Sequence, residues 1–381
     1  MDRMHYDADH LAFGEAFRAF TDKVIAPHYL DWEGAGITPR EVFQEAGRGG
    51  FLGMAVPEQF GGGGVDDFRF NQILDEQIAA AGITGSGLGI SLHNDICLPY
   101  FLTICTDEQK QRWLPGIASG ELITAVAMTE PGAGSDLSGI RTSAKRDGDS
   151  YLVNGSKTFI TNGINADLVI TAVRTGEDRH KGISLLILER GMDGFERGRN
   201  LDKLGMHSQD TAELSFTDVR VPAANLLGEE GAGFSYLTDK LPQERISIAI
   251  SAVGEARGAF DETLAYVKDR KAFGTTIGSF QNTKFVLAEL ATEIDIAEAF
   301  VDRCVDRLSV AKLSAADASK AKWWTTEMQA RVIDKCLQLH GGYGYMAEYA
   351  ISRRYADARI TRIYGGTTEI MKSVVSKSLG L

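Results

Sequence analysis

The chain has 381 residues, 44% of them hydrophobic and 24% charged, with a formal net charge of −12. This is globular composition, long enough for two or three cores. The acidic total, with no Lys/Arg run to offset it, excludes a nucleic-acid-binding face. The four cysteines (Cys97, Cys105, Cys304, Cys336) show no CxxC spacing, which predicts free thiols in a reducing compartment. The opening MDRMHYDADHLAF carries early acids and no apolar core, so it reads as neither a signal nor a basic transit peptide. The expected placement is cytoplasmic, of bacterial type, with a processed mitochondrial matrix form left open as the alternative.

The first third reads as helix. Phe13, Phe17, Phe20 and Val24 share one helical face, and Arg40 to Gly47 predicts a short helix stopped by glycines. FGGGGVDD (60–67) reads as a flexible connection, after which helices are predicted over 67–81 and 88–102. Thr106 and Gln109 form a predicted capping box ahead of Trp113 and Leu114. Residues 121–225 change to short apolar or alternating runs rich in β-branched residues, broken at Asp147-Gly148-Asp149 and Asn154-Gly155, and predict a small antiparallel barrel or sandwich. From Gly231 onward long helical periods run over 232–270, 280–312, 314–340 and 347–362, which predicts an antiparallel four-helix bundle. The expected fold class is α+β multidomain: an N-terminal helical domain (1–120), a middle antiparallel β-barrel domain (121–228) and a C-terminal helical bundle (229–381).

The common nucleotide and hydrolase motifs are missing. GSGLGI (85–90) lacks the third glycine of a dinucleotide fingerprint and follows no strand. No GxxxxGK[ST], HExxH or GxSxG occurs, and seven scattered histidines predict no metal site. His340, in QLHGG, reads as a helix-end histidine near a ligand or interface rather than as a base.

Five segments carry a stronger signal together: TEPGAGSD (129–136), KTFITNG (157–163), DRKAFG (269–274) followed by Gln281, QLHGG (338–342) and YGGTTE (364–369). In this order and spacing they resemble the acyl-CoA dehydrogenase family over essentially the whole chain. The resemblance implies an FAD-dependent α,β-dehydrogenation of an acyl-CoA, a homotetramer built as a dimer of dimers, and an electron-transferring flavoprotein as acceptor. It assigns Met128, Thr129, Gly134 and Ser135 to the flavin loop, with Ser135 also touching the CoA portion. Phe159, Ile160 and Thr161 are assigned to the flavin face. Phe159 departs from the tryptophan of many members and resembles the long-chain branch. Arg270, Phe273, Gln281, Gln338, Gly341 and Gly342 are assigned to FAD, Arg270 and Gln281 at its pyrophosphate, supplied from a neighbouring subunit. Thr367 and Glu369 are assigned to the flavin-contacting C-terminal segment. Each has a plainer alternative: a tight turn for TEPGAGSD, a buried strand for FIT, a surface ion pair for Arg270, a helix C-cap for Gly341-Gly342 and a plain N-cap for Thr367.

The family's usual catalytic glutamate position is occupied by Gly365, and KLPQERISIA (240–249) supplies Glu244 at the position one branch uses instead. Gly365 keeps its backbone N–H, which the resemblance assigns to the thioester oxygen. Glu244 is then the expected acceptor of the α-proton, its pKa raised by desolvation toward about 6–7, while Arg245 pulls the other way. The plainer reading of Glu244 is an exposed helix glutamate. LPQER most resembles long-chain acyl-CoA dehydrogenases; isovaleryl-type enzymes place their base here too. Ser235, Pro242, Gln243, Arg245, Gly365 and Gly366 are the remaining substrate-binding expectations, and Gly365→Glu is expected to rescue loss of Glu244 in part. Rival expectations are a branched-chain or carrier-protein-bound thioester as substrate, an acyl-CoA oxidase, and a non-catalytic acyl-CoA-binding protein.

Overall fold

A computed structural model describes residue 3 and residues 5–381. The N-terminal third is helical: α1 (Ala8–Phe20), α2 (Tyr29–Ala35), α3 (Glu41–Arg48), α4 (Phe68–Ala80), α5 (Thr84–Ser91), α6 (Leu98–Ile104) and α7 (Asp107–Ser119). Their starts follow side-chain chemistry. Asp7 accepts from the amides of Asp9 and His10, and Thr106 and Gln109 form the reciprocal capping box read from the sequence. The single helix expected over 88–102 is instead three pieces, because Leu92–Cys97 winds as a π-helical turn between α5 and α6. Such turns recur at functional sites, and this one lies beside the site described below.

The middle segment forms an eight-stranded sheet: β1 (Thr124–Ala127), β2 (Ser143–Asp147), β3 (Ser150–Thr161), β4 (Leu168–Arg174), β5 (Ile183–Glu189), β6 (Phe195–Asn200), β7 (Thr211–Pro222) and β8 (Leu226–Leu227). The order is β6-β7-β3-β2-β4-β5-β8, with β1 added alongside β4. Most pairs are antiparallel, as expected, but β1 and β2 both run parallel to β4. β4 and β5 are buried on both faces. Leu168, Ile170 and Ala172 pack toward the N-terminal helices, while Val169 and Val173 pack inside the sheet, and β5 divides in the same way. That is why LVITAV and ISLLIL read as continuous apolar runs. Each such Leu or Ile, once buried, contributes about 1.5–3 kcal/mol.

The C-terminal part holds α8 (Gly233–Asp269), a two-stranded hairpin of β9 (Lys271–Ala272) and β10 (Thr275–Thr276), α9 (Gln281–Ser309), α10 (Ala315–His340), α11 (Ala350–Asp357) and α12 (Thr368–Ser378). The heptad-like seam of α9 is buried at Leu287, Leu290, Ile294, Val301 and Cys304. The long helix expected over 347–362 is corrected to α11 and a 3₁₀ segment, Ala358–Arg362. Buried polar bonds mark the change. Asp357 accepts from the amide of Met206 at 2.5 Å, and the Thr361 hydroxyl binds Gln329 at 2.8 Å and the Ala358 carbonyl at 2.8 Å. All four cysteines are free and buried, and among the described residues no helix is long and apolar enough to cross a membrane.

Candidate active site

α8 carries Glu244 between Gln243 and Ser247, both of which bond to Asp95 of the π-helical turn. The connection between helix and turn is set by two prolines. Pro99 lacks an N–H, so the carbonyl four residues earlier, that of Asp95, receives no helical bond from it. The side chain of Gln243 donates to that carbonyl at 2.8 Å. Pro242, inside α8, frees the carbonyl of Thr238 in the same way and relaxes the helix just before Glu244. LPQER therefore locks onto the turn that faces it.

Glu244 is 4% exposed. It opens onto a cavity of about 150 Å³ walled by α5, the π-helical turn, the ends of β1 and β3, α8 and the segment before α12. The cavity also collects Met128, Thr129, Phe159, Ile160, Thr161 and Gly365 from the sequence-predicted set. Burial pushes the Glu244 carboxyl up to about 7, against the opposing pull of Arg245 and of the Tyr100 hydroxyl, which donates to its Oε1 at 3.4 Å. A carboxylate with this value is ionised often enough at neutral pH to accept a proton, and basic enough to hold one. The limiting rate of substrate-driven reduction should therefore rise with pH through about 7, as Glu244 loses its proton. A rate already flat below that range in a stopped-flow pH series would contradict the assignment.

Local strain aims the opposite wall. β3 and β7 slip register between Lys157 and Ile160, and Phe159 takes φ +60 in that bulge. A side chain on a regular strand would lie in the sheet face; here the ring stands out, 67% exposed. The bulge is braced by Lys157, fully buried, whose ammonium donates to the Met128 carbonyl at 3.0 Å and to Glu130 at 2.9 Å. Glu130 in turn accepts from the amides of Arg141 and Thr142 at 2.7 and 2.9 Å. One ion pair thus ties the strand end of TEPGAGSD to KTFITNG. Gly134 and Ser135 lie exposed further along that loop, outside the cavity.

Other predicted residues lie elsewhere. Arg270, Gln338, Gly341 and Gly342 border a second hollow of about 550 Å³ with Tyr266, His340 and Tyr343, which Glu244 does not reach. The Arg270 guanidinium sits 5.0 Å from the Tyr343 ring centroid and, among the described residues, pairs with no carboxylate. Phe273, φ +54 on the β9–β10 hairpin, is 96% exposed, and Gln281 opens α9. Ser235 is exposed on the first turn of α8. Arg245 is buried behind the cavity, its Nη1 donating to Ser319 at 3.2 Å. Gly366 adjoins the cavity without lining it, Thr367 caps α12 by accepting from the amide of Ile370, and Glu369 is exposed in that helix's first turn.

Several lining residues escape a motif reading. Ser247, Ile248 and Ser251 stand three, four and seven places after Glu244, one helical face, so the period alone would have found them. Leu88, Leu92 and Ile96 repeat every four residues and read as ordinary core until the turn brings them to the cavity. Tyr100 had no signal in the sequence.

The residues offered for FAD fit it. No atom stands within 4 Å of a Cβ built on Gly132, Gly134, Gly341 or Gly342, leaving open backbone that a flat ring or phosphate can approach. An unpaired guanidinium beside such a glycine pair suits a pyrophosphate, and an exposed phenyl ring at Phe159 suits an isoalloxazine face.

Family models for the N-terminal, middle and C-terminal domains of acyl-CoA dehydrogenase match residues 7–121, 125–219 and 231–380. The chain is similar to the mitochondrial long-chain specific acyl-CoA dehydrogenase of Sus scrofa, 47% identical over 99% of this chain and 88% of that protein. It is similar to the crystal structure of an acyl-CoA dehydrogenase from Geobacillus kaustophilus, with TM-score 0.97 and 51% identity over 99% of this chain and 100% of that one. It is also similar to a glutaryl-CoA dehydrogenase from Mycobacterium smegmatis solved in complex with FADH2, with TM-score 0.92 and 27% identity over 98% and 95% of the two chains. On full-length matches to all three domains and this site geometry, the chain belongs to the acyl-CoA dehydrogenase family of flavin-dependent oxidoreductases.

Proposed function

We propose that the protein oxidises long-chain acyl-CoA thioesters to trans-2-enoyl-CoA in fatty-acid β-oxidation, with Glu244 as the α-proton acceptor. The observation that carries the reading is a buried carboxyl sharing one cavity with Gly365, Phe159 and Thr161. When bound, FAD supplies the acceptor for the β-hydride. The residues do the rest. Glu244 takes the α-proton, the Gly365 N–H binds the thioester oxygen where negative charge develops, and the apolar walls exclude water so that both interactions act at low dielectric. The substrate loses one proton and one hydride, and a carbon–carbon double bond forms between Cα and Cβ. Met128, Thr129, Ile160 and Thr161 hold the flavin ring, and Ser135, Ser235 and Gln243 lie along the approach of the CoA and acyl portions.

Long chain length is supported by the 47% identical relative named as long-chain specific and by the Leu88–Leu92–Ile96 stripe. We assign Arg270, Phe273, Gln281, Gln338, Gly341 and Gly342 to the FAD of a neighbouring subunit in a homotetramer. Their separation from Glu244 and the full exposure of Phe273 support this. The electrons pass on to an electron-transferring flavoprotein. The three functional units take residues 1–120, 121–228 and 229–381.

The test is an anaerobic panel from butyryl- to stearoyl-CoA with branched thioesters and an artificial acceptor. The expected kcat/KM peaks between lauroyl- and palmitoyl-CoA. A peak at butyryl- or isovaleryl-CoA would overturn the chain-length assignment, and no bleaching by any thioester would overturn the reaction.

A further inference from the structure

Behind the Gly365-Gly366 loop lies a fully buried lysine. Lys322, on α10, is 0% exposed and donates to the carbonyl of Gly366 at 2.7 Å. Among the described residues it pairs with no carboxylate within salt-bridge distance. An ammonium has three N–H donors, and burying it with one partner is costly. Methionine would fill the same volume at no such cost, so packing alone does not account for a lysine here.

The loop it holds is one that needs holding. Gly365 has φ +63 and Gly366 φ +99, backbone open only to glycine, and two adjacent glycines carry the largest conformational freedom a chain can have. α10 fixes the far side of the same loop through Glu327, which accepts from the Thr368 hydroxyl at 2.9 Å and faces Arg362 at 3.4 Å. Arg245 adds a second buried cation from α8, its Nε without a partner. Two cations thus stand behind the backbone that offers the Gly365 N–H.

We infer that Lys322 is a positioning residue for the dehydrogenation, holding the Gly366 carbonyl so that the Gly365 N–H is aimed at the thioester oxygen and backed by positive charge as that oxygen becomes enolate-like. The inference rests on the reading of the site given above. It gives the lysine's charge a role as well as its bulk. Burial lowers the Lys322 ammonium to about 8, with Arg245 on α8 lowering it further and Glu327 on α10 and Glu369 on α12 opposing. The positioning charge is therefore lost as pH climbs past about 8.

The test uses flavin-loaded Lys322→Met and Lys322→Arg beside the native protein. In Lys322→Met the limiting rate of flavin reduction by acyl-CoA should fall by about 10–100-fold near neutral pH, with the acyl-CoA Kd kept within about threefold. The native rate should decline above about pH 8. That decline should vanish in both variants, because neither side chain titrates there, and Lys322→Arg should recover most of the neutral rate. A readout apart from turnover is thermal unfolding of the holoprotein. A lysine held below its unfolded value destabilises the fold while charged, so the native midpoint should gain on that of Lys322→Met as pH rises from about 8 toward 10.5.

A Lys322→Met protein with native rate and native pH profile overturns the inference. So does one whose binding falls in step with its rate, which would make Lys322 a packing residue. A native protein that no acyl-CoA reduces sinks the functional reading itself, a result distinct from either.

Discussion

Glu244→Gln is expected to leave a folded, flavin-loaded protein whose reduction by acyl-CoA is slowed by roughly 10²–10⁴-fold, the usual worth of a positioned general base. The amide keeps the shape of the side chain and its bond from Tyr100 but accepts no proton. Reduction at the native rate in anaerobic stopped flow would rule Glu244 out. The same substitution has a stability signature of the opposite sign. Folding raises this carboxyl from 4.5 to about 7, so the folded protein retains a proton that the unfolded chain has released. Its contribution is fully present below 4.5 and is lost as pH rises through about 7. Above that range the buried carboxylate costs roughly 3 kcal/mol, and the glutamine variant avoids the cost. Thermal unfolding should show Glu244→Gln more stable than native at mildly alkaline pH, with the advantage shrinking toward about pH 4–5. A difference that does not change with pH would mean that Glu244 is not desolvated as described.

Moving the base back to position 365 is expected to work only in part while Ile248 stays. The sequence suggests that Gly365→Glu should partly rescue a protein lacking Glu244. The structure adds two obstacles. A Cβ on Gly365 would overlap the Ile248 side chain, and φ +63 costs a non-glycine residue about 1–2 kcal/mol. Glu244→Gly with Gly365→Glu should therefore recover only part of the reduction rate, because the Ile248 Cδ1 methyl can turn aside but the cost of the positive φ remains. Adding Ile248→Ala clears the overlap and should raise the reduction rate by about tenfold or more, with preference shifting to shorter chains because the new side chain takes acyl space. A double variant that works as well as the triple would show that Ile248 is no barrier. The ordinary cost of Ile248→Ala, about 2–5 kcal/mol in a packed core, is partly offset because the introduced glutamate refills the space.

What was legible in the sequence was what depends on local chemistry. Caps, glycine pairs, apolar periods and the YGGTTE and LPQER segments each state a requirement of a few neighbouring residues, and these gave the helices, the sheet and the proposal of Glu244 as base. Gly365 could be read as a lost carboxyl because the segment around it is short and specific. The overlap of Ile248 with position 365 and the burial of Lys322 were not legible. An isoleucine three residues beyond Arg245 and a lysine in the first third of α10 look like core and solvent-facing residues until another element is placed against them. The π-helical turn was missed for a related reason. LHNDIC itself holds no helix breaker; Pro99 beyond it frees the Asp95 carbonyl, but the partner that takes it up, Gln243 at 2.8 Å, comes from a distant helix.

By itself the sequence determined the family and the order of helical and β segments, and it singled out Glu244 as the carboxylate proposed as base, because covalent neighbours and side-chain periodicity are enough for those. Which predicted residues share a cavity, how far burial shifts Glu244, what fills the space above Gly365 and what anchors the loop beneath it were decided only when segments far apart in the chain came into contact. Desolvation and steric exclusion are properties of that assembled neighbourhood and have no expression in any one stretch of residues.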